Sequence, residues 1–191
     1  VIAIRNAQLY EEQEKLTIGS IKALAAILDT RPEHTQTHSQ MFVRLVIDVA
    51  KQLSMTAQEM RVLKYASLLH DAGKVVIPDK ILRKSKKLTG EEFQIIKKHP
   101  IKGVEIVKPI EVLKPVIPII LYHHERFDGT GYPKGLKGKD IPLGSRIMSV
   151  VDAFISMISK QPYRECLSMD EAISEIKRYS GTQFDPQVVE T

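Results

Sequence analysis

The sequence predicts an all-α fold, one helical bundle, on three observations. Apolar residues recur at spacings of three and four along most of the chain. No run alternates apolar and polar residues as a half-buried strand would. Capping and stop signals divide the periodic stretches into helix-sized pieces. The 191 residues are 43% apolar and 27% charged, a globular balance, and long enough to bury a core in one domain with a short appendage.

Residues 1–28 set Ile4, Leu9, Leu16, Ile21, Leu24 and Leu28 at spacings near three, four and seven among Glu and Lys. Such a helix belongs either to the domain core or to a connector that pairs with a second copy of itself. Asp29-Thr30-Arg31-Pro32 reads as a stop and restart, with Pro32 suited to a first helical turn. Met41 to Leu53 carries Val43, Val46, Ile47 and Ala50 on an amphipathic helix, and a second runs from Gln58 to Leu69. Gly73 is placed to end that second helix in a left-handed conformation. Thr89 stands three residues before Glu92, a capping-box spacing that predicts a helix over Gly90–Lys98. Val104–Val107 and Val116–Tyr122 are further helical pieces. Five glycines and two prolines then break the pattern between Arg126 and Gly144, and a loop of that length in a compact domain is usually functional or disordered. Helix resumes over Ser145–Ser159 and Met169–Tyr179.

Several function classes fall away. The single cysteine, Cys166, excludes an internal disulfide framework and a cysteine-based zinc site, and points to a reducing compartment. No stretch approaches the roughly 20 apolar residues of a membrane helix. The most apolar run, Pro115–Tyr122, is broken by Pro118. With Val1 at its start and no signal-peptide layout, the expectation is an excised piece of a longer cytoplasmic protein. Lys plus Arg outnumber Asp plus Glu by 28 to 23, which suits either an anionic partner or plain solubility. The basic runs Arg83–Lys87 and Lys134–Lys139 come with no nucleic-acid reader motif, so nucleic acid is not the expected partner. They read as a solvated face, or as a bias drawing a dianionic substrate toward an opening.

The histidines carry more information. His38 lies near a helix start, His70-Asp71 and His99 at helix ends, and His123-His124 after an apolar run. Asp152 sits within Val150-Val151-Asp152-Ala153-Phe154. Polar groups beside such apolar stretches must be paired, hydrogen-bonded or metal-bound, because desolvating them alone is expensive. Five imidazoles and two carboxylates without a thiolate suit divalent Fe, Mn or Zn. Seven ligands exceed what one tetrahedral ion accepts and match two ions sharing a carboxylate. Such a pair, roughly 3.5–4 Å apart, supports in-line attack on phosphorus by a bridging hydroxide.

His70-Asp71-Ala72-Gly73-Lys74, with His38 upstream, resembles the signature of the HD phosphohydrolase superfamily. His123-His124-Glu125-Arg126-Phe127-Asp128-Gly129-Thr130-Gly131-Tyr132-Pro133 is similar to the signature of its HD-GYP subfamily. Pro78–Leu82, Leu88-Thr89, Glu92, His99-Pro100, Gly103, Ile141-Pro142, Arg146-Ile147, Pro162-Tyr163-Arg164 and Phe184-Asp185-Pro186 fit in register, so the resemblance runs from Arg31 to Glu190. It implies a helical bundle of the HD phosphohydrolase type around a di-metal centre, and hydrolysis of the bacterial messenger cyclic di-GMP to linear pGpG, GMP or both. Carried over, His38, His70, Asp71 and Asp152 would hold one metal. Asp71 would bridge to a second, held by His99, His123 and His124. The ions would be Fe or Mn, with Zn, Ni or Mg as substitutes in a crystal. Lys74 would meet a scissile phosphate oxygen as a point charge, and Gly131, Tyr132 and Pro133 would line the substrate opening. Tyr132 offers a ring face for a base, or simply packs. Ala3–Glu12 resembles the exit helix of a GAF sensor, which would make residues 1–30 a connecting helix and 31–191 the catalytic domain, with signalling partners and a homodimer through the first helix in prospect.

Three positions depart from that pattern. His34 stands where some members carry a Glu ligand, and is either an additional ligand on the face of His38 or a solvated helix-start residue. Ile155 replaces an Asp that would support the ligand at 152. Gln161 replaces a substrate-facing Arg, a loss that Arg164 would partly make good. The expected function is therefore a phosphodiesterase with weakened or altered nucleotide preference. The alternatives are an enzyme for another cyclic dinucleotide and a receptor or scaffold without turnover.

Overall fold

The computed structural model describes residues 2–29, 36–84, 86–159 and 166–191. In chain order the helices are α1 (Ile2–Asp29), α2 (Gln36–Gln52), α3 (Ala57–Leu69), α4 (Asp79–Leu82), α5 (Gly90–Ile96), α6 (His99–Val107), α7 (Ile117–Tyr122), α8 (Leu143–Ile158), α9 (Met169–Arg178) and α10 (Pro186–Val189). Short 3₁₀ turns occupy Ala72–Val76, Glu111–Val116 and Gly138–Asp140. The all-α expectation holds, since the β structure among the described residues is an isolated bridge between Ser180 and Phe184. Capping boxes start three helices: Thr56 with Glu59, Thr89 with Glu92, and Ser168 with Glu171.

Three details differ from the sequence reading. α2 and α8 begin five and two residues earlier than their apolar patterns, and α10 follows Asp185, which caps it through the Gln187 amide. Gly73 does not end α3 in a left-handed conformation: α3 stops at Leu69 and the chain turns on through the 3₁₀ segment, with Gly73 buried inside it. The glycine is needed for close approach instead. A Cβ there would lie 1.9 Å from the His99 carbonyl oxygen and 2.5 Å from the Gly103 amide nitrogen. Those are backbone atoms that cannot swing aside, so Gly73 lets α6 lie directly on the Ala72–Val76 turn.

α2 packs between α3 and α8, α6 against the Ala72–Val76 turn and α7, and α9 on the outer side of α8. Phe42, Val46 and Ala50 from α2, Leu63, Ala66 and Leu69 from α3, and Ile147, Met148, Val151 and Ile155 from α8 form the core. Ile155, where resemblance raised a lost support for the centre, is fully buried in this core as a packing residue. α1 joins it through Ile21, buried to 2% exposure, while Ile2, Leu9 and Leu16 stand exposed. No described helix is long and apolar enough to cross a membrane.

Candidate metal centre

The bundle brings several helix ends to one place. His70 caps the C-terminus of α3, His99 opens α6, and His123 caps α7 with His124 next in the chain. Three of these imidazoles are oriented alike: each Nδ1 faces the carbonyl three residues earlier, His70 to Ser67 at 2.9 Å, His99 to Ile96 at 2.8 Å and His123 to Ile120 at 2.6 Å. A carbonyl only accepts, so each Nδ1 carries the proton and each Nε2 is left with a bare lone pair.

Two of these nitrogens meet, and His124 joins them. Ligand atoms of His99, His123 and His124 all lie within 4.8 Å of one another, and the Nε2 atoms of His99 and His123 are 3.3 Å apart. Burial pushes His99 down to about 4 and His123 and His124 well below the usual histidine range. At neutral pH they are uncharged. Two bare, uncharged nitrogens facing each other at that distance have no proton to share, and a cation between them satisfies both. The donor set fits a divalent metal.

Asp71 stands beside the cluster. Its Oδ1 lies 3.5 Å from His99 Nε2 and its Oδ2 lies 3.4 Å from His70 Nε2, one oxygen toward each histidine. Lys74 Nζ donates to Oδ2 at 2.8 Å. Phe42 stacks on the His70 ring with centroids 4.6 Å apart, which ties the ligand to the core. Tyr132 stacks on His124 with centroids 5.0 Å apart, and its hydroxyl is pushed up by burial and by the charges of Asp152 and Asp71. That interaction sets Asp152 in the field of the same centre, on α8. The structure thus brings together His70, Asp71, Lys74, His99, His123, His124 and Tyr132, with Asp152 on α8 near enough for its charge to act on Tyr132. His38 lies on α2, with its side chain outside the described residues, as are His34, Gln161 and Arg164 altogether.

The glycine-rich stretch is tightly held, through residues to which the sequence reading gave no role. Glu125, buried to 2%, accepts from the Lys134 amide at 2.7 Å, the Gly135 amide at 3.1 and 3.0 Å and the Leu136 amide at 3.1 Å. It fastens the segment after Tyr132 to the residue after His124. Arg126 donates to Asp128 at 2.9 Å, Thr130 at 2.9 Å and Gln183 at 2.7 Å, joining the loop to the C-terminal turn. Asp128 is thereby drawn down to about 2 by Arg126. Gly131 lies so close that a Cβ would be 2.2 Å from the Arg126 nitrogen. A buried acid between metal-ligand histidines and a glycine run was the available signal. Its partners are backbone amides, which leave no mark in the sequence.

An all-α bundle whose helix ends bring three buried imidazoles within 4.8 Å of one another, with a carboxylate beside them, can hold a divalent metal. The chain belongs to the HD domain family, which matches residues 22–188, and its His123–Pro133 motif places it in the HD-GYP branch. It is 37% identical over 182 residues to the cyclic di-GMP phosphodiesterase response regulator RpfG of Xanthomonas campestris, covering 94% of this chain and 47% of that protein. It is 32% identical over 191 residues to a 3'3'-cGAMP-specific phosphodiesterase of Vibrio cholerae, covering 99% and 37%. Among solved structures it is similar to Bd1817, an HD-GYP-type protein of Bdellovibrio bacteriovorus, with a TM-score of 0.67 and 25% identity over 92% of this chain and 57% of that one. The chain spans half or less of the length of these two curated relatives.

Proposed function

We propose that the chain is a metal-dependent phosphodiesterase of cyclic dinucleotides, with cyclic di-GMP as its substrate and linear pGpG, GMP or both as products. The observation that carries this reading is Asp71, with one oxygen toward His70 and the other toward His99, at the edge of a cluster of bare imidazole nitrogens. A carboxylate so placed would be able to serve two ions. In the proposal His38, His70, Asp71 and Asp152 would hold one metal and Asp71, His99, His123 and His124 the other, with Fe or Mn as the ions. When bound, such metals lower the pKa of a water and stabilise charge on phosphoryl oxygens.

The chain's own residues do the rest. Lys74 orients Asp71 through its 2.8 Å hydrogen bond and offers its remaining donors to a phosphate oxygen. Tyr132 packs on His124 and stays a neutral hydroxyl, held so by burial and by the charges of Asp152 and Asp71. Gly131, Tyr132 and Pro133, followed by the segment that Glu125 fastens, would line the opening, and Arg164 would add a further phosphate contact. Residues 31–191 act in this reading as the output domain of a longer cytoplasmic signalling protein of bacteria, with residues 1–30 as the connecting helix. A stripe of exposed Ile2, Leu9 and Leu16, each seven residues apart, supports a homodimer along α1.

Purified protein supplied with Mn²⁺ or Fe²⁺ should hydrolyse cyclic di-GMP, and His70→Ala or Asp71→Ala should abolish turnover and lower bound metal. Unchanged turnover in either variant overturns the assignment. Side-by-side assays with 3'3'-cGAMP and pGpG fix the substrate and end product, and nucleotide binding without product selects a receptor instead.

A further inference from the structure

We propose that Phe93 and Lys97 form a guanine-reading subsite beside Tyr132 of the metal centre, Phe93 giving a stacking face and Lys97 an edge contact. This rests on the cyclic-dinucleotide reading above and adds to it the base that is preferred and the residues that prefer it.

The two side chains are four residues apart at the end of α5 and so share a face. Lys97 Nζ sits 4.9 Å from the Phe93 ring centroid and 5.3 Å from that of Tyr132. Tyr132 in turn stacks on His124, so one ring separates this ammonium from a proposed ligand. Its charge is also uncommitted. Lys74 is bound to Asp71 and Lys84 to Glu92, whereas among the described residues Lys97 faces two rings and no carboxylate. Phe93 is 44% exposed, a large aromatic that reaches solvent.

An ammonium has donors and no acceptor. Guanine presents two acceptors along one edge, N7 and O6. Adenine presents N7 beside an amino group whose protons would point at the ammonium. Lys97 can therefore bond a guanine edge and meets an adenine edge with donor against donor. Phe93 has no such preference, because every base has a π-face. Affinity from Phe93 and selectivity from Lys97 are thus separable by mutation.

The test uses manganese-loaded native protein and hydrolysis-resistant phosphorothioate analogues of cyclic di-GMP and cyclic di-AMP, with dissociation constants from calorimetry and the fold checked by circular dichroism. The native protein should prefer the guanine ligand about tenfold or more. Lys97→Met should bring the two affinities within about threefold by weakening the guanine ligand, and Lys97→Arg should restore the preference. Phe93→Ala should weaken both ligands and keep their ratio. An equal loss for both ligands in Lys97→Met would make Lys97 a phosphate anchor and overturn the inference, as would native protein that binds neither ligand or binds both alike. Native protein that prefers the guanine analogue yet hydrolyses no cyclic dinucleotide leaves the subsite standing and overturns the phosphodiesterase reading alone.

Discussion

His70, His99 and His123 obtain their orientation from a local device, a helix-end carbonyl three residues earlier that takes the Nδ1 proton. Because that carbonyl belongs to the histidine's own turn, the lone pair on Nε2 is aimed before any metal arrives. Removing the imidazole removes the ligand and leaves the neighbouring nitrogens without a shared cation, so His123→Ala should cut bound metal sharply, read by elemental analysis. Glu125 acts differently, through the backbone. In Glu125→Gln one oxygen becomes an amino group facing the amides of residues 134–136, donor against donor, and the variant should lose about 1–3 kcal/mol in urea denaturation. Its metal content should stay near the native level, because His123 and His124 keep their own contacts. A variant with native stability would show that the four amide contacts do not hold the loop. Gly73→Ala has no room at all, since the nearest atoms are backbone. Its cost should reach or exceed the roughly 1–3 kcal/mol of ordinary overpacking, with metal lost as α6 is pushed off the turn.

Among the elements, those with caps or an apolar stripe were legible in the sequence. Thr89 and Glu92 marked α5, and the Met41–Leu53 pattern marked α2 apart from its first turn, where polar residues carry no periodicity. Gly73 misled because a glycine after a helix reads as a left-handed stop, and only the arrival of α6, which begins at His99, shows what it is for. The centre was legible as a set of residue types and a family motif. Its inner arrangement was not, because Glu125, Arg126 and Lys97 act through backbone amides, a distant turn and aromatic faces. α1 behaves as two halves: Ile21 is buried in the core while Ile2, Leu9 and Leu16 are exposed. Ile21→Ala should therefore destabilise the fold by about 2–5 kcal/mol. A Leu9→Glu/Leu16→Glu double variant should convert a dimer to a monomer in sedimentation equilibrium and remove any concentration dependence of the melting temperature. A monomeric native protein would remove the proposed α1 pairing.

At the scale of the whole molecule, packing α2, α3, α6, α7 and α8 together is what desolvates the imidazoles, and this sets how stability answers to acid. His99 titrates near 4 in the fold against 6.5 for a solvated histidine, and His123 and His124 shift the same way. Between these values the unfolded chain takes up protons that the folded chain refuses, so stability rises with pH there and falls on acidification. The window is pH 6.5 down to about 4. Asp128, drawn down from 3.8 to about 2 by Arg126, contributes stability that is lost only below that window. Chelated protein should thus keep a constant melting temperature above pH 7 and lose it steadily from pH 6.5 toward 4. Manganese should add stability at neutral pH, about 2.7 kcal/mol at a hundredfold excess over its dissociation constant. That increment should shrink with acid, because protons compete for the same nitrogens. Calorimetric scans with and without chelator at pH 7.5, 6.0 and 5.0 read both effects. A chelated protein whose melting temperature is flat across that range would mean that the imidazoles are solvated and the buried, neutral cluster does not exist in solution.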